Sequence, residues 1–224
     1  DTYDFSALAY DQQVVVVTIN YRLGPLGWIT HPSIQGEAEG LDKSSNFGQL
    51  DIIAALQWTQ RNIQNFGGDH NNVTIFGESA GGHNVYALLV SPLANGLFHR
   101  AIAQSPYTTT VTPREAFNRN REFPELDRGS WELLQALELD PDTTSASALR
   151  SIDVYEIMSA YYSLEKDHLS PLSTADGIVI PAVGMEQALA DPQYSKSVPV
   201  LSGSNRDEVT LWMGLNRYFV NGDP

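Results

Sequence analysis

The sequence predicts an α/β fold: a mostly parallel central sheet with flanking helices. Three observations carry this. Continuous β-branched runs such as Val14-Val15-Val16-Val17-Thr18-Ile19 suit strands buried on both faces, as parallel sheets require. Up to about residue 104 such runs alternate with helix-period segments, the order that right-handed crossovers produce. The stretch Val73-Thr74-Ile75-Phe76-Gly77-Glu78-Ser79-Ala80-Gly81-Gly82 then sets Gly-x-Ser-x-Gly where an apolar run stops and a helix-like segment follows.

Taken in order, residues 1–13 read as helix or loop, and 14–19 as a buried strand. Asn20 to Gly27 leaves that strand through Gly and Pro, a loop signal. Residues 30–48, rich in Gly, Ser, Glu and Asn, read as an exposed loop. From about Gln49 to Asn65 the period becomes helical, with Leu50, Ile53, Leu56 and Ile63 on one side, and Phe66-Gly67-Gly68-Asp69 stops it. A strand over 73–76, a helix to about Val90 and a short strand at 101–104 follow. Residues 107–170 are mostly polar, with helical patterns at 130–138, 147–152 and 154–162, and are expected to form a helical insertion contributing to a pocket rim. Ser130 is the expected N-cap of the first of these helices. Tyr155, Tyr161 and Tyr162 are expected to pack half-buried rather than line the pocket. Asp176-Gly177 and Pro181 mark a loop, and 198–202 a further strand running into Gly203-Ser204-Asn205-Arg206-Asp207-Glu208.

Composition narrows the partners. The 224 residues suffice for one large α/β domain, with 42% hydrophobic and 18% charged residues. A formal net charge of −14 disfavours nucleic acid and anionic membrane surfaces, both of which demand a basic face. With no cysteine there is no disulfide framework, thiolate metal site or cysteine nucleophile, and the compartment stays open. No apolar run approaches the roughly 18 residues of a membrane span.

The motif at 77–81 has a chemical logic. A serine hydroxyl is a poor nucleophile unless held where a base can take its proton. A tight strand-to-helix turn presents Ser79 in that way, in a strained conformation. Gly77 and Gly81 let strand and helix approach without Cβ clashes. The backbone N–H of Ala80 opens the helix, aimed where negative charge develops on a substrate oxygen. A carboxylate past the carboxyl end of a later strand, at 207–208, suits an acid that orients a histidine.

Six blocks in order resemble the type B carboxylesterase/lipase family, the cholinesterase-like branch of the α/β-hydrolases: Val17 to Gly24; Asn46 to Asp51 with Trp58; Asn65 to Asp69; Val73 to Gly82; Leu97 to Ile102; and Gly203 to Glu208. Agreement is dense over 14–105, sparse over 107–175 and returns over 176–208. The resemblance implies an α/β-hydrolase fold, with residues 1–224 part of a single catalytic domain, incomplete at both ends. It implies Ser79 as nucleophile, Glu208 as the acid of a Ser-Glu-His triad with Asp207 the less favoured neighbour, and Ala80 as an oxyanion-hole donor. Glu78 matches a buried carboxylate beside the nucleophile, Ser105 a serine near the triad, and His99 a structural position. The activity implied is hydrolysis of small-molecule carboxylic esters through an acyl-enzyme, with no metal or organic cofactor. A non-catalytic binding or adhesion protein on the same fold is the alternative.

Two family parts have no counterpart here. Nothing like a His-Gly-Gly-Gly oxyanion loop occurs, and no histidine follows Glu208 among His31, His70, His83, His99 and His168. Both are expected from other segments of the same hydrolase domain, the chain being an internal piece of a longer enzyme. Alone it is expected to show little turnover. His83, one helical turn after Ser79, lacks an evident orienting partner and is expected to be a helix-face or pocket residue. Pro106 and Val209 stand where the family usually has Gly.

Overall fold

The computed structural model describes residues 3–123, 129–164 and 172–208. Among the described residues the sheet consists of three parallel strands in the order β1 (Thr74–Glu78), β2 (Arg100–Gln104) and β3 (Val200–Gly203). The register pairs Glu78 with Gln104 and Gln104 with Gly203, so the carboxyl ends of all three strands finish level. Helices are α1 (Ser6–Gln12), α2 (Gly24–Gly27), α3 (Pro32–Glu37), α4 (Phe47–Asn62), α5 (Ala80–Val90), α6 (Pro113–Phe117), α7 (Ser130–Ala136), α8 (Ala146–Ser151), α9 (Val154–Ser163) and α10 (Met185–Ala190). The parallel sheet with flanking helices agrees with the fold class read from the sequence.

One face of the sheet carries the main core. Ile75 and Ala101 meet Val85, Leu88 and Leu89 of α5, and behind them lie Ile53 and Leu56 of α4 and Met185 of α10. In α4 the buried side includes Ile52 and Gln49, while Leu50 is only partly buried. The loop at Asp176 is also part of this core, since Val179 and Ile180 are fully buried. A second assembly joins α7, α8 and α9: Leu134 and Leu149 pack on Ile34 of α3, and Leu133 on Tyr161. With α6, these are the α-helices described within 107–170.

Several expectations are corrected. Residues 14–19 form no strand, and Val14, Val15, Val17 and Ile19 are between 39% and 47% exposed. A β-branched run favours extension, but a strand needs a ladder partner, and none of the described strands pairs with it. The strands present are not buried on both faces: Phe76 and Leu201 are exposed on the face opposite α5. Residues 30–48 are not a plain exposed loop, because α3 lies within them and His31, Ser44, Ser45 and Asn46 are buried through polar contacts that the hydrophilic composition concealed. Ser130 does not cap α7; it is the first helical residue after Gly129, and its hydroxyl accepts the Thr30 N–H at 3.0 Å. Tyr161 is buried, whereas Tyr155 and Tyr162 are exposed, so only one of the three joins the core, with the Tyr162 ring edge-on to it from outside. Helices α6 and α10 are not among the elements expected from the sequence. His168, Val209 and 210–224 lie outside the described residues.

Candidate active site

Ser79 occupies the break between β1 and α5 with φ 54° and ψ −114°, a left-handed conformation strained for a residue with a Cβ. Neighbouring backbone holds it there. Its N–H donates to Gln104 O at 2.9 Å, and its carbonyl accepts the His83 N–H at 2.9 Å. The side chain makes no capping hydrogen bond to α5, so the hydroxyl is not committed to the helix it precedes. Ala80 opens α5 and is exposed; as the first helical residue its N–H has no intrahelical acceptor.

The glycines divide. A Cβ on Gly77 would lie 2.5 Å from Gly81 O and 2.9 Å from its Cα, so the sharp turn demands glycine there. A Cβ on Gly81 would meet nothing within 4 Å. Gly81 therefore supplies backbone for Gly77 to pack on, and its own missing side chain relieves no clash. Gly82 has the close approach not assigned to it from the sequence, with a Cβ there 2.9 Å from Gln104 O and 3.2 Å from Pro106 Cα.

Ser105 repeats the turn on the next strand. It follows β2 as Ser79 follows β1, has φ 47°, and donates its N–H to Gly203 O at 2.7 Å. Glu208 lies in the turn beyond β3 and accepts the Asn205 N–H on Oε1 at 2.8 Å. The Ser105 side chain, then the Asn205 backbone, hold the Glu208 carboxyl below the usual carboxylate range, so it stays ionised. Residues 79, 105 and 208, far apart in the chain, thus meet at one carboxyl edge of a parallel sheet, where such sheets place their ligands. Glu78 departs from expectation. It is exposed rather than buried, because it lines an open groove of about 360 Å³ with Ile102, Ser105, Leu201 and Asn205. Asp207 points its carboxylate at Arg206, 3.1 Å away.

His83 is 3% exposed, and both ring nitrogens are engaged away from Ser79. Nδ1 lies 3.0 Å from Tyr107 O and Nε2 lies 2.8 Å from Ser173 Oγ. A carbonyl only accepts, so Nδ1 carries the proton and Nε2 accepts from the serine. Ser173 Oγ in turn accepts Gln49 Nε2–H at 2.6 Å, and Gln49 Oε1 accepts the Trp28 indole N–H at 2.6 Å. Burial without a counter-charge lowers the His83 pKa to about 4, which leaves the ring neutral. Gln49, Tyr107 and Ser173 were not expected at the site: Gln49 is a polar residue at the head of an apolar helix, and Tyr107 and Ser173 lie in polar stretches that carry no signal. The other described histidines are bound elsewhere: His31 between Ser33 and Pro141 O, His70 at Gln64, and His99 accepting the Val73 N–H, a structural contact. Among the described residues no three His, Asp or Glu converge as metal ligands, and no helix is long and apolar enough to cross a membrane.

Comparison with known proteins gives a consistent result. The family model described as "Carboxylesterase family" matches residues 1–219. The para-nitrobenzyl esterase of Bacillus subtilis (strain 168) is 37% identical over 213 residues, covering 94% of this chain and 40% of that protein. The fumonisin B1 esterase of Sphingopyxis macrogoltabida is 38% identical over 216 residues, covering 92% of this chain and 35% of that protein. Among solved structures, a carboxylesterase of Geobacillus stearothermophilus superposes with a TM-score of 0.82 at 34% identity, covering 99% of this chain and 44% of its own. The chain thus spans less than half the length of each of these relatives. A family match along nearly the whole chain, together with the strained serine turn at a parallel-sheet edge, establishes that this chain belongs to the carboxylesterase family.

Proposed function

We propose that the intact protein hydrolyses carboxylic esters through an acyl-enzyme formed on Ser79. The observation that carries this reading is the Ser79 turn, whose hydroxyl is left uncapped at the head of α5. In the proposed reaction Ser79 Oγ attacks the ester carbonyl carbon and passes its proton to a histidine base. The tetrahedral oxyanion takes the Ala80 N–H as one donor. The C–O bond to the alcohol then breaks, the alcohol leaves with that proton, and water hydrolyses the acyl-serine by the reverse roles. Glu208, kept ionised beside Ser105, orients the base and stabilises its charged form. We assign the base and the remaining oxyanion donors to segments beyond these residues, since each described histidine has other partners. We read α7 to α9 as part of the pocket rim. No observation favours the adhesion-protein alternative, and the relatives matched are esterases by name.

The test is labelling of the intact protein with an active-site organophosphonate, followed by peptide mass spectrometry. An adduct on Ser79 that is lost in Ser79→Ala is expected. A folded protein that takes no label would sink the proposal. The isolated 224 residues are expected to turn over a chromogenic aryl ester at or near background; brisk turnover would overturn the assignment of the base to another segment.

A further inference from the structure

We propose that His83 is a positioning residue for this site: its Nδ1–H clamps the Tyr107 carbonyl and fixes the Ser105 turn against the first turn of α5. The inference rests on the esterase reading above. Four observations carry it. The His83 backbone is already tied to Ser79, whose carbonyl accepts its N–H. The imidazole stacks on the Tyr107 ring, with centroids 4.4 Å apart and planes 20° apart, while Nδ1 bonds the same residue's backbone oxygen. Tyr107 stands two residues after Ser105, a serine held at positive φ. Gly82, beside His83, leaves room for Pro106 to close against α5.

The polarity of the contact is set from a distance. The chain of hydrogen bonds begins at the Trp28 indole, which can only donate, and runs through Gln49 and Ser173 to His83. It ends at the Tyr107 carbonyl, which can only accept. Every intermediate proton therefore has one arrangement, and that arrangement presents Nδ1–H to Tyr107. A donor held in this way restrains the turn carrying Ser105, and Ser105 in turn holds Glu208. His83 touches no reacting atom in this scheme. It acts by keeping the serine turn after β1 and the acid beyond β3 in fixed relation.

The experiment compares His83→Ala, His83→Asn and His83→Gln in the intact protein, with kcat expressed per phosphonate-titrated site. Asn places an amide donor near the Nδ1 position, whereas Gln reaches toward Nε2. Positioning predicts a kcat loss of about tenfold or more for Ala and Gln, a KM within about twofold of the parent, and recovery of most of kcat in Asn. Ser173→Ala, which removes little volume, is expected to lose kcat in the same direction but by less. Equal kcat per titrated site in the parent, Ala and Ser173→Ala proteins overturns the inference, as does an Asn variant no better than Gln. A purely structural role would lower the unfolding temperature of all three His83 variants without this ranking. If the unsubstituted protein neither labels nor turns over ester, the esterase reading fails and this inference falls with it. A labelled, active parent with indifferent variants refutes the positioning role alone.

Discussion

Ser79 is held at φ 54° at a cost of about 1–3 kcal/mol, offset by two backbone hydrogen bonds to Gln104 and His83. His83 shows a second way in which burial acts on a single residue. Unfolded, a histidine titrates near 6.5; in the fold its value falls to about 4 because the buried ring meets no counter-charge. Between those two values the unfolded chain binds more protons than the folded one. Stability therefore rises with pH across this window, and is lost as pH falls from 6.5 toward 4. The gap corresponds to about 3 kcal/mol. Urea denaturation of the intact protein at pH 7 and pH 4 is expected to show this loss in the parent and a smaller one in His83→Gln. Equal losses in both would mean that His83 is not buried neutral.

Among the elements, the junction of β1 and α5 is decided by which glycine lacks room. Overpacking predicts that Gly77→Ala destabilises by about 1–3 kcal/mol or more, because its Cβ would press on the Gly81 backbone. Gly81→Ala introduces no contact and replaces a residue costing about 0.5–1 kcal/mol in a helix, so stability is expected to hold or rise. Thermal unfolding of the two variants checks the pair. A Gly81→Ala protein as damaged as Gly77→Ala would mean that another group packs on the open side of α5. The motif alone ranks the two glycines equally, and only the direction in which the strand meets the helix separates them.

Across the whole molecule, distant segments are joined by buried polar groups as much as by the apolar core. Asp176 is the chief link. One oxygen accepts the N–H groups of Ile178, Val179 and Ile180 at 2.9–3.2 Å, and the other accepts Asn46 Nδ2 at 2.9 Å and the Ser44 hydroxyl. Ser44 and Asn46 are fully buried, so losing this carboxylate strands donors with no access to water. Asp176→Ala is expected to cost about 3 kcal/mol in the intact protein, read by chemical denaturation. A loss below about 1 kcal/mol would show that water or a neighbour replaces the carboxylate.

The strand-turn-helix around Ser79, helices α4, α5 and α7 to α9, and the parallel order of the sheet were legible in the sequence, because period and turn chemistry are local properties. The family could be read as well, since six ordered blocks survive without any knowledge of contacts. The absence of a strand at 14–19 was not legible, because pairing depends on what lies alongside. Nor was the exposure of Glu78, which follows from the groove beside β2 and β3 rather than from its neighbours in sequence. The partners of His83 come from residues 107 and 173. The sequence by itself determined the local geometry of the serine turn and the chemistry it invites. Only the tertiary structure decided which distant side chains stand beside that turn, because hydrogen-bond partners and burial are set by chain segments that meet only once folded.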